Sequence, residues 1–73
     1  MKKASLQLTQ EGKQRLDEGN PDNAIRLLEQ AFGPNPNNGQ SYFYLARAWL
    51  KKGVYSEASE FNRLARIYLK NDR

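Results

Sequence analysis

The feature that most constrains the fold of this chain is a self-similarity at an offset of thirty-four residues. At that offset, glycines and alanines of the first half align with small residues of the second, and large apolar residues align with each other. The aligned pairs are Leu8 with Tyr42, Gly12 with Ala46, Leu16 with Leu50, Gly19 with Gly53, Ala24 with Ala58, and Ala31 with Ala65. So many matches at one offset indicate an internal repeat of one supersecondary unit.

The first copy has the start and stop signals of two helices. We expect a helix over about residues 5–18, ended by Gly19, because glycine adopts the left-handed cap conformation at little cost. The segment Asn20–Asp22 then supplies an N-cap side chain, a proline at the first helical position and an acid near the positive helix end. This second helix is predicted to run to about Phe32.

The second copy repeats this plan after a segment rich in turn residues. Residues 33–39 consist of glycine, proline and asparagine, which favour a loop between the copies. Helices are predicted over about residues 40–52, ended by Gly53, and over residues 55–69. The sequence therefore predicts an all-α fold of two antiparallel helical hairpins, with four helices.

Small residues are predicted where the two helices of each hairpin cross. Gly12 and Ala24 hold these positions in the first copy, and Ala46 and Ala58 hold them in the second. A leucine at such a crossing would overpack it, at a cost of about 1–3 kcal/mol. Large side chains are expected to fill the space between the helices. They are Tyr42, Leu45 and Trp49.

The same residues carry a family resemblance. The second copy reads Tyr42-x2-Leu45-Ala46-x2-Trp49, followed by Gly53, Ala58 and Ala65, and the first carries Leu8, Gly12, Gly19, Ala24, Leu28, Ala31 and Pro36. This pattern and its period resemble the tetratricopeptide repeat. The resemblance spans residues 5–70. It implies one domain over residues 1–73, with repeats at 5–38 and 39–72 forming a short right-handed superhelix.

The copies differ on the face that would meet a preceding repeat. In the second copy, Leu45 and Trp49 present an apolar helix face to the first copy. Their counterparts in the first copy are Glu11 and Arg15, which are four residues apart and can pair across one helix turn.

The face that would receive a following repeat is likewise apolar in one copy and polar in the other. Leu28 and Phe32 in the first copy correspond to Asn62 and Arg66 in the second. Polar outer faces are typical of terminal repeats, so we expect a complete two-repeat unit, with ordinary sequence drift as the alternative. The last helix still has apolar residues beyond one hairpin face, which leaves both a monomer and a homodimer open. They are Leu64, Ile67, Tyr68 and Leu69.

The composition argues against catalysis and against a cofactor. The chain has no cysteine and no histidine, so thiolate zinc sites and serine–histidine pairs are excluded. The sequence has neither a calcium-binding loop nor a phosphate-binding loop. We therefore expect no enzyme, no metal, no cofactor and no small-molecule substrate.

The N-terminal segment does not have the length of a signal peptide. Its apolar stretch is interrupted at Gln7, short of the roughly 7–15 residues that such a peptide needs. No stretch is long enough to span a membrane, so a soluble chain is expected. It is cytoplasmic if Met1 is the native start, and exported or periplasmic if the chain is a mature fragment.

The resemblance also implies a binding surface on the concave side lined by the first helix of each repeat. The family's groove positions correspond here to Leu6, Thr9, Lys13, Leu16, Asp17, Gln40, Phe43, Arg47, Leu50 and Lys51. Leu16 and Leu50 could equally belong to the core. The candidate partner-binding residues are therefore Thr9, Lys13, Asp17, Gln40, Phe43, Arg47 and Lys51.

These candidates indicate the chemistry of a partner. Some members of the family clamp a terminal carboxylate with a lysine and an asparagine, and this chain lacks that pair. Lys13, Arg47 and Lys51 instead flank Phe43, with only Asp17 opposing them, which favours an acidic protein segment with an apolar anchor. The alternative is a small basic nucleic-acid-binding domain, given the net charge of +4 and the pI of about 9.6.

Overall fold

The computed structural model describes residues 2–70, which form four α-helices in two hairpins. Their bounds are α1 Lys2–Asp17, α2 Pro21–Gln30, α3 Gly39–Lys51 and α4 Tyr55–Lys70. The predicted all-α architecture is confirmed. No helix in this part of the chain is both long and apolar enough to cross a membrane. The predicted ends of the domain and of the second repeat, residues 1 and 71–73, lie outside the described residues.

The helix ends follow the predicted signals closely. Gly19 and Gly53 have φ angles of 81° and 80°, in the left-handed region where glycine is favoured. The Asn20 N–H donates to the Arg15 carbonyl at 2.9 Å, which closes a Schellman cap at the end of α1. The Asn20 side chain in turn accepts from the backbone N–H of Asn23 at the start of α2.

Two helix ends depart from the predicted bounds by more than one residue: α1 begins at Lys2, three residues earlier than predicted, and α2 ends early. The helix stops at Gln30 instead of near Phe32. Phe32 and Gly33 donate to carbonyls only three residues back, at 3.2 Å each, so the chain continues as tight turns. A helix cannot run far here, because proline restricts the residue before it and Pro34 and Pro36 follow.

The first hairpin crosses at Gly12, as predicted. A Cβ atom at Gly12 would lie 2.6 Å from Cγ of Leu28 and 3.3 Å from the carbonyl oxygen of Ala24. The second hairpin also has a close approach at Gly39, where a Cβ atom would lie 2.9 Å from the backbone nitrogen of Leu69. Glycine therefore lets backbone and side chain approach closely in both hairpins.

The hydrophobic core lies where α3 packs on the first hairpin. Its buried members are Leu16, Ala24, Ile25, Leu28, Leu45 and Ala48. The predicted core position of Leu45 is confirmed. Trp49 is half-buried at the edge of this core, and its indole N–H is buried without a hydrogen-bond partner among the described residues.

Tyr42 connects the two hairpins through aromatic stacking. Its ring centroid lies 4.3 Å from that of Phe32 in the first hairpin and 5.2 Å from that of Tyr68 in α4. Burial, and then the neighbouring Tyr68, raise the pKa of the Tyr42 hydroxyl above its ordinary value. The predicted role of Tyr42 in filling the space between helices is confirmed.

Candidate partner-binding surface

Thr9 belongs to the interior of the molecule. Its side chain is 1% exposed, and its hydroxyl donates to the Ser5 carbonyl at 2.8 Å. The same hydroxyl accepts from the side-chain amide of Asn38 at 2.8 Å. Because both hydrogen-bonding functions are used internally, Thr9 does not face a partner, and we leave it out of the candidate surface.

Three of the predicted residues lie together around a concave cavity of about 430 Å³ between the ends of α1 and α3. Asp17 lines it from α1, and Arg47 and Lys51 line it from α3. Leu16 forms part of its wall while lying 5% exposed in the core. Leu50 is instead 54% exposed, so of these two family groove positions only Leu16 is a core residue.

The charges around this concave cavity are not balanced. Lys13 and Asp17 form an exposed ion pair at 3.2 Å, one turn apart on α1. Arg47 and Lys51 form no ion pair with any carboxylate of residues 2–70. The cavity rim therefore carries two uncompensated cations on α3, and the charge of Lys13 is largely compensated by Asp17.

A second cavity, of about 460 Å³, opens on the other side of Arg47, between α3 and α4. We call it the end groove. It is lined by Phe43, Ala46, Arg47, Leu50, Tyr55, Ala58, Ser59 and Asn62. The guanidinium carbon of Arg47 lies 5.8 Å from the centroid of the Phe43 ring, within the range of a cation–π contact.

Sequence reasoning missed the part of the end groove that α4 contributes. Tyr55, Ser59 and Asn62 were not among the predicted site residues. The thirty-four-residue offset contains the signal that identifies them, because their counterparts in the first hairpin are Pro21, Ile25 and Leu28. Gln40, which was predicted, is exposed at the start of α3 and lines neither cavity.

The predicted pairing of Glu11 with Arg15 is replaced by a different contact. Arg15 instead pairs with Glu18 at 2.6 Å, and Glu11 forms no ion pair within the described part of the chain. At the opposite end, Asn62 and Arg66 are both exposed on α4. Both outer faces are therefore polar at the positions that the offset identified.

These observations define an all-α protein of packed helical hairpins, with a cavity between α1 and α3 that Arg47 and Lys51 line. A family model described as Tetratricopeptide repeat matches residues 15–73. The chain belongs to the tetratricopeptide repeat family, whose members are protein–protein interaction modules and generally non-catalytic scaffolds. A comparison with curated proteins found no match.

Proposed function

We propose that this protein binds an acidic segment of a partner protein, anchored by an apolar side chain, on the concave surface of α1 and α3. The observation that carries the proposal is the position of Arg47. It lines both cavities, stacks near the Phe43 ring and forms no ion pair with a described carboxylate. An exposed guanidinium between apolar walls suits a carboxylate that lies next to an apolar residue.

The expected strength follows from the chemistry of the contacts. The guanidinium of Arg47 can hold a carboxylate through two parallel hydrogen bonds, and Lys51 adds a second cation one turn away. A charge-assisted contact of this kind contributes about 1.5–3 kcal/mol. Phe43 and Leu50 are 38% and 54% exposed, so both offer apolar surface to the anchor.

Lys13, Asp17 and Gln40 have secondary roles in this proposal. The Lys13–Asp17 pair, exposed on α1, limits how far an acidic segment extends toward the first hairpin. Gln40 is exposed near the start of α3 and can reach a longer segment outside the cavities.

Nucleic acid is the less supported partner. Four cations are paired with acids, in the pairs Lys13–Asp17, Arg15–Glu18, Lys52–Asp22 and Arg63–Glu60. These acids interrupt the basic surface, whereas binding to the phosphate backbone of a nucleic acid favours a continuous basic stripe. The ring of Tyr42 is stacked between other aromatic rings and is not available to a base.

A peptide-display selection on the immobilised protein tests the proposal. Enriched peptides should carry aspartate or glutamate around one large apolar residue. Arg47→Glu should weaken the binding of a selected peptide about tenfold or more, since every 1.4 kcal/mol is a factor of ten. The loss should shrink at high salt, because exposed charges are screened.

The matched control is Arg26→Glu, at another exposed arginine, which lies on α2 and lines neither cavity. It should leave peptide binding within about twofold of the parent protein. Equal losses from both reversals would mean a general electrostatic attraction and would overturn the proposed site. Displacement of the peptide by a short oligonucleotide of random sequence would favour the nucleic-acid alternative.

A further inference from the structure

The end groove is the counterpart of a surface that is fully occupied in the first hairpin. Shifted back by thirty-four residues, its residues Leu50, Ala58, Ser59 and Asn62 fall on Leu16, Ala24, Ile25 and Leu28. All four counterparts are 8% exposed or less and form one core cluster with Leu45 and Ala48 of α3. The first hairpin thus receives a helix where the second has an open groove.

We propose that the end groove binds an amphipathic helix of a partner protein, lying as α3 lies on the first hairpin. The two hairpins have alanine at the same repeat position, Ala24 in the first and Ala58 in the second. Three large apolar side chains of the lining are exposed: Phe43 by 38%, Leu50 by 54% and Tyr55 by 69%. Apolar rings and a leucine around an alanine floor are suited to the apolar face of a helix.

The differences between the two surfaces define the chemistry of the incoming helix. Where Leu28 and Ile25 meet apolar residues of α3, the end groove has Asn62 and Ser59, so the helix needs a hydrogen-bonding side chain there. The residue at the centre of the incoming helix should be small, because its equivalent in α3, Ala48, is fully buried. Arg47 is the charged residue of the lining and favours an acid nearby.

A second copy of this chain does not fit the groove. The helix that it would insert is α1, which carries Glu11, Gln14 and Arg15 at the positions of Leu45, Ala48 and Trp49. Ala48 is 0% exposed, so a glutamine in its place would overpack the contact. A second copy of this chain is therefore excluded as the occupant.

The chain itself provides the probe for a test. The peptide has the sequence of residues 38–52, held helical by a hydrocarbon staple on its outer face because an isolated helix of this length is marginal in water. A second peptide carries Leu45→Gln, Arg47→Glu and Lys51→Glu, which supply the hydrogen-bonding side chain and the acids. Binding is followed through the backbone amide signals of the isotope-labelled protein.

We expect the substituted peptide to shift the signals of Phe43, Leu50, Tyr55 and Ala58. It should bind about tenfold more tightly than the peptide of native sequence at low salt. Ser59→Arg fills the groove and should abolish these shifts. Ser56→Arg, an identical change at an exposed serine one turn earlier on α4 and outside the groove lining, should leave them unchanged.

Three results would overturn the inference. They are the absence of shifts, equal losses from the two serine variants, and shifts confined to Leu16, Ala24 and Leu28, where the peptide would be replacing α3. Ser59→Arg also separates this test from that of the concave surface, because Ser59 lines the end groove and not the concave cavity. That variant should release the stapled helix while leaving the acidic segment bound at Arg47 and Lys51.

Discussion

The side-chain amide of Asn38 donates a hydrogen bond to the hydroxyl of Thr9 at 2.8 Å, across twenty-nine residues of chain. The same amide donates to the Ser5 hydroxyl at 2.7 Å, and its oxygen accepts from the backbone N–H of Ser41. Ser41 in turn donates from its hydroxyl to the Leu28 carbonyl at 2.7 Å. The start of α3 is thereby fixed to both helices of the first hairpin by polar contacts as well as by the core.

Asn38→Ala should lower the free energy of unfolding by about 1–3 kcal/mol. The variant loses the N-cap of α3 and leaves two buried hydroxyls with fewer partners. Urea unfolding followed by circular dichroism measures the change. Asn37→Ala is the matched control at an exposed neighbouring asparagine and should change stability by less than about 0.5 kcal/mol. Equal effects would exclude the buried polar cluster as the cause.

This cluster marks the limit of what the sequence could predict. The helices, their glycine caps and the crossing at Gly12 follow from local signals and periodicity, which depend on neighbours in the chain. Thr9 was assigned to the binding surface because its repeat position faces a groove in the family. Its hydroxyl is bonded to Asn38, a residue at the start of α3 that is distant from Thr9 in the sequence.

The end groove escaped prediction for a similar reason. Its lining combines residues of α3 and α4 that no other helix of residues 2–70 covers. A pattern of residue types identifies a face of a helix, and the structure determines whether that face is covered. Arg47 could be predicted, since an exposed cation on the same face as Phe43 requires only helical spacing.

Trp49→Ala should cost about 3–5 kcal/mol by removing a large side chain at the edge of the core. That loss is comparable to the whole stability expected of so small a domain. Trp49→Phe should cost much less, because it keeps the ring and removes an indole N–H that has no described partner. Thermal and urea unfolding monitored by circular dichroism compares the two. A Trp49→Ala protein as stable as the parent would contradict the assigned packing.

The double variant Asn62→Leu with Arg66→Phe tests whether the polar outer face of α4 limits association. These changes restore the residue types of Leu28 and Phe32 and create an exposed apolar patch. Light scattering should then detect oligomers at concentrations where the parent protein remains dispersed. Arg63→Phe, on an exposed position of the same helix outside the groove lining, is the single-site control. If scattering does not change, the polar face does not act as a cap.

Tyr42 should make the folded state sensitive to alkaline pH. Its pKa is raised in the folded protein, so its contribution to stability is fully present below the ordinary tyrosine pKa of about 10. That contribution is lost as the pH rises from there through the folded pKa. Urea unfolding between about pH 9 and pH 11 should therefore show a steeper loss for the parent than for Tyr42→Phe. Tyr55→Phe, at a 69% exposed position, should keep the parent's slope.

The buried hydroxyls of Ser5 and Thr9 have a consequence for building longer proteins from this chain. Their counterparts in the second hairpin are Gly39 and Phe43, neither of which has a hydroxyl for an incoming asparagine. Gly39 is also committed to the close approach of Leu69. A tandem gene fusion of this sequence would therefore lack the polar contacts that hold α3 at every new junction. To restore these contacts, such a fusion would need hydroxyl residues in the second hairpin and also an asparagine in place of Ala4, the counterpart of Asn38.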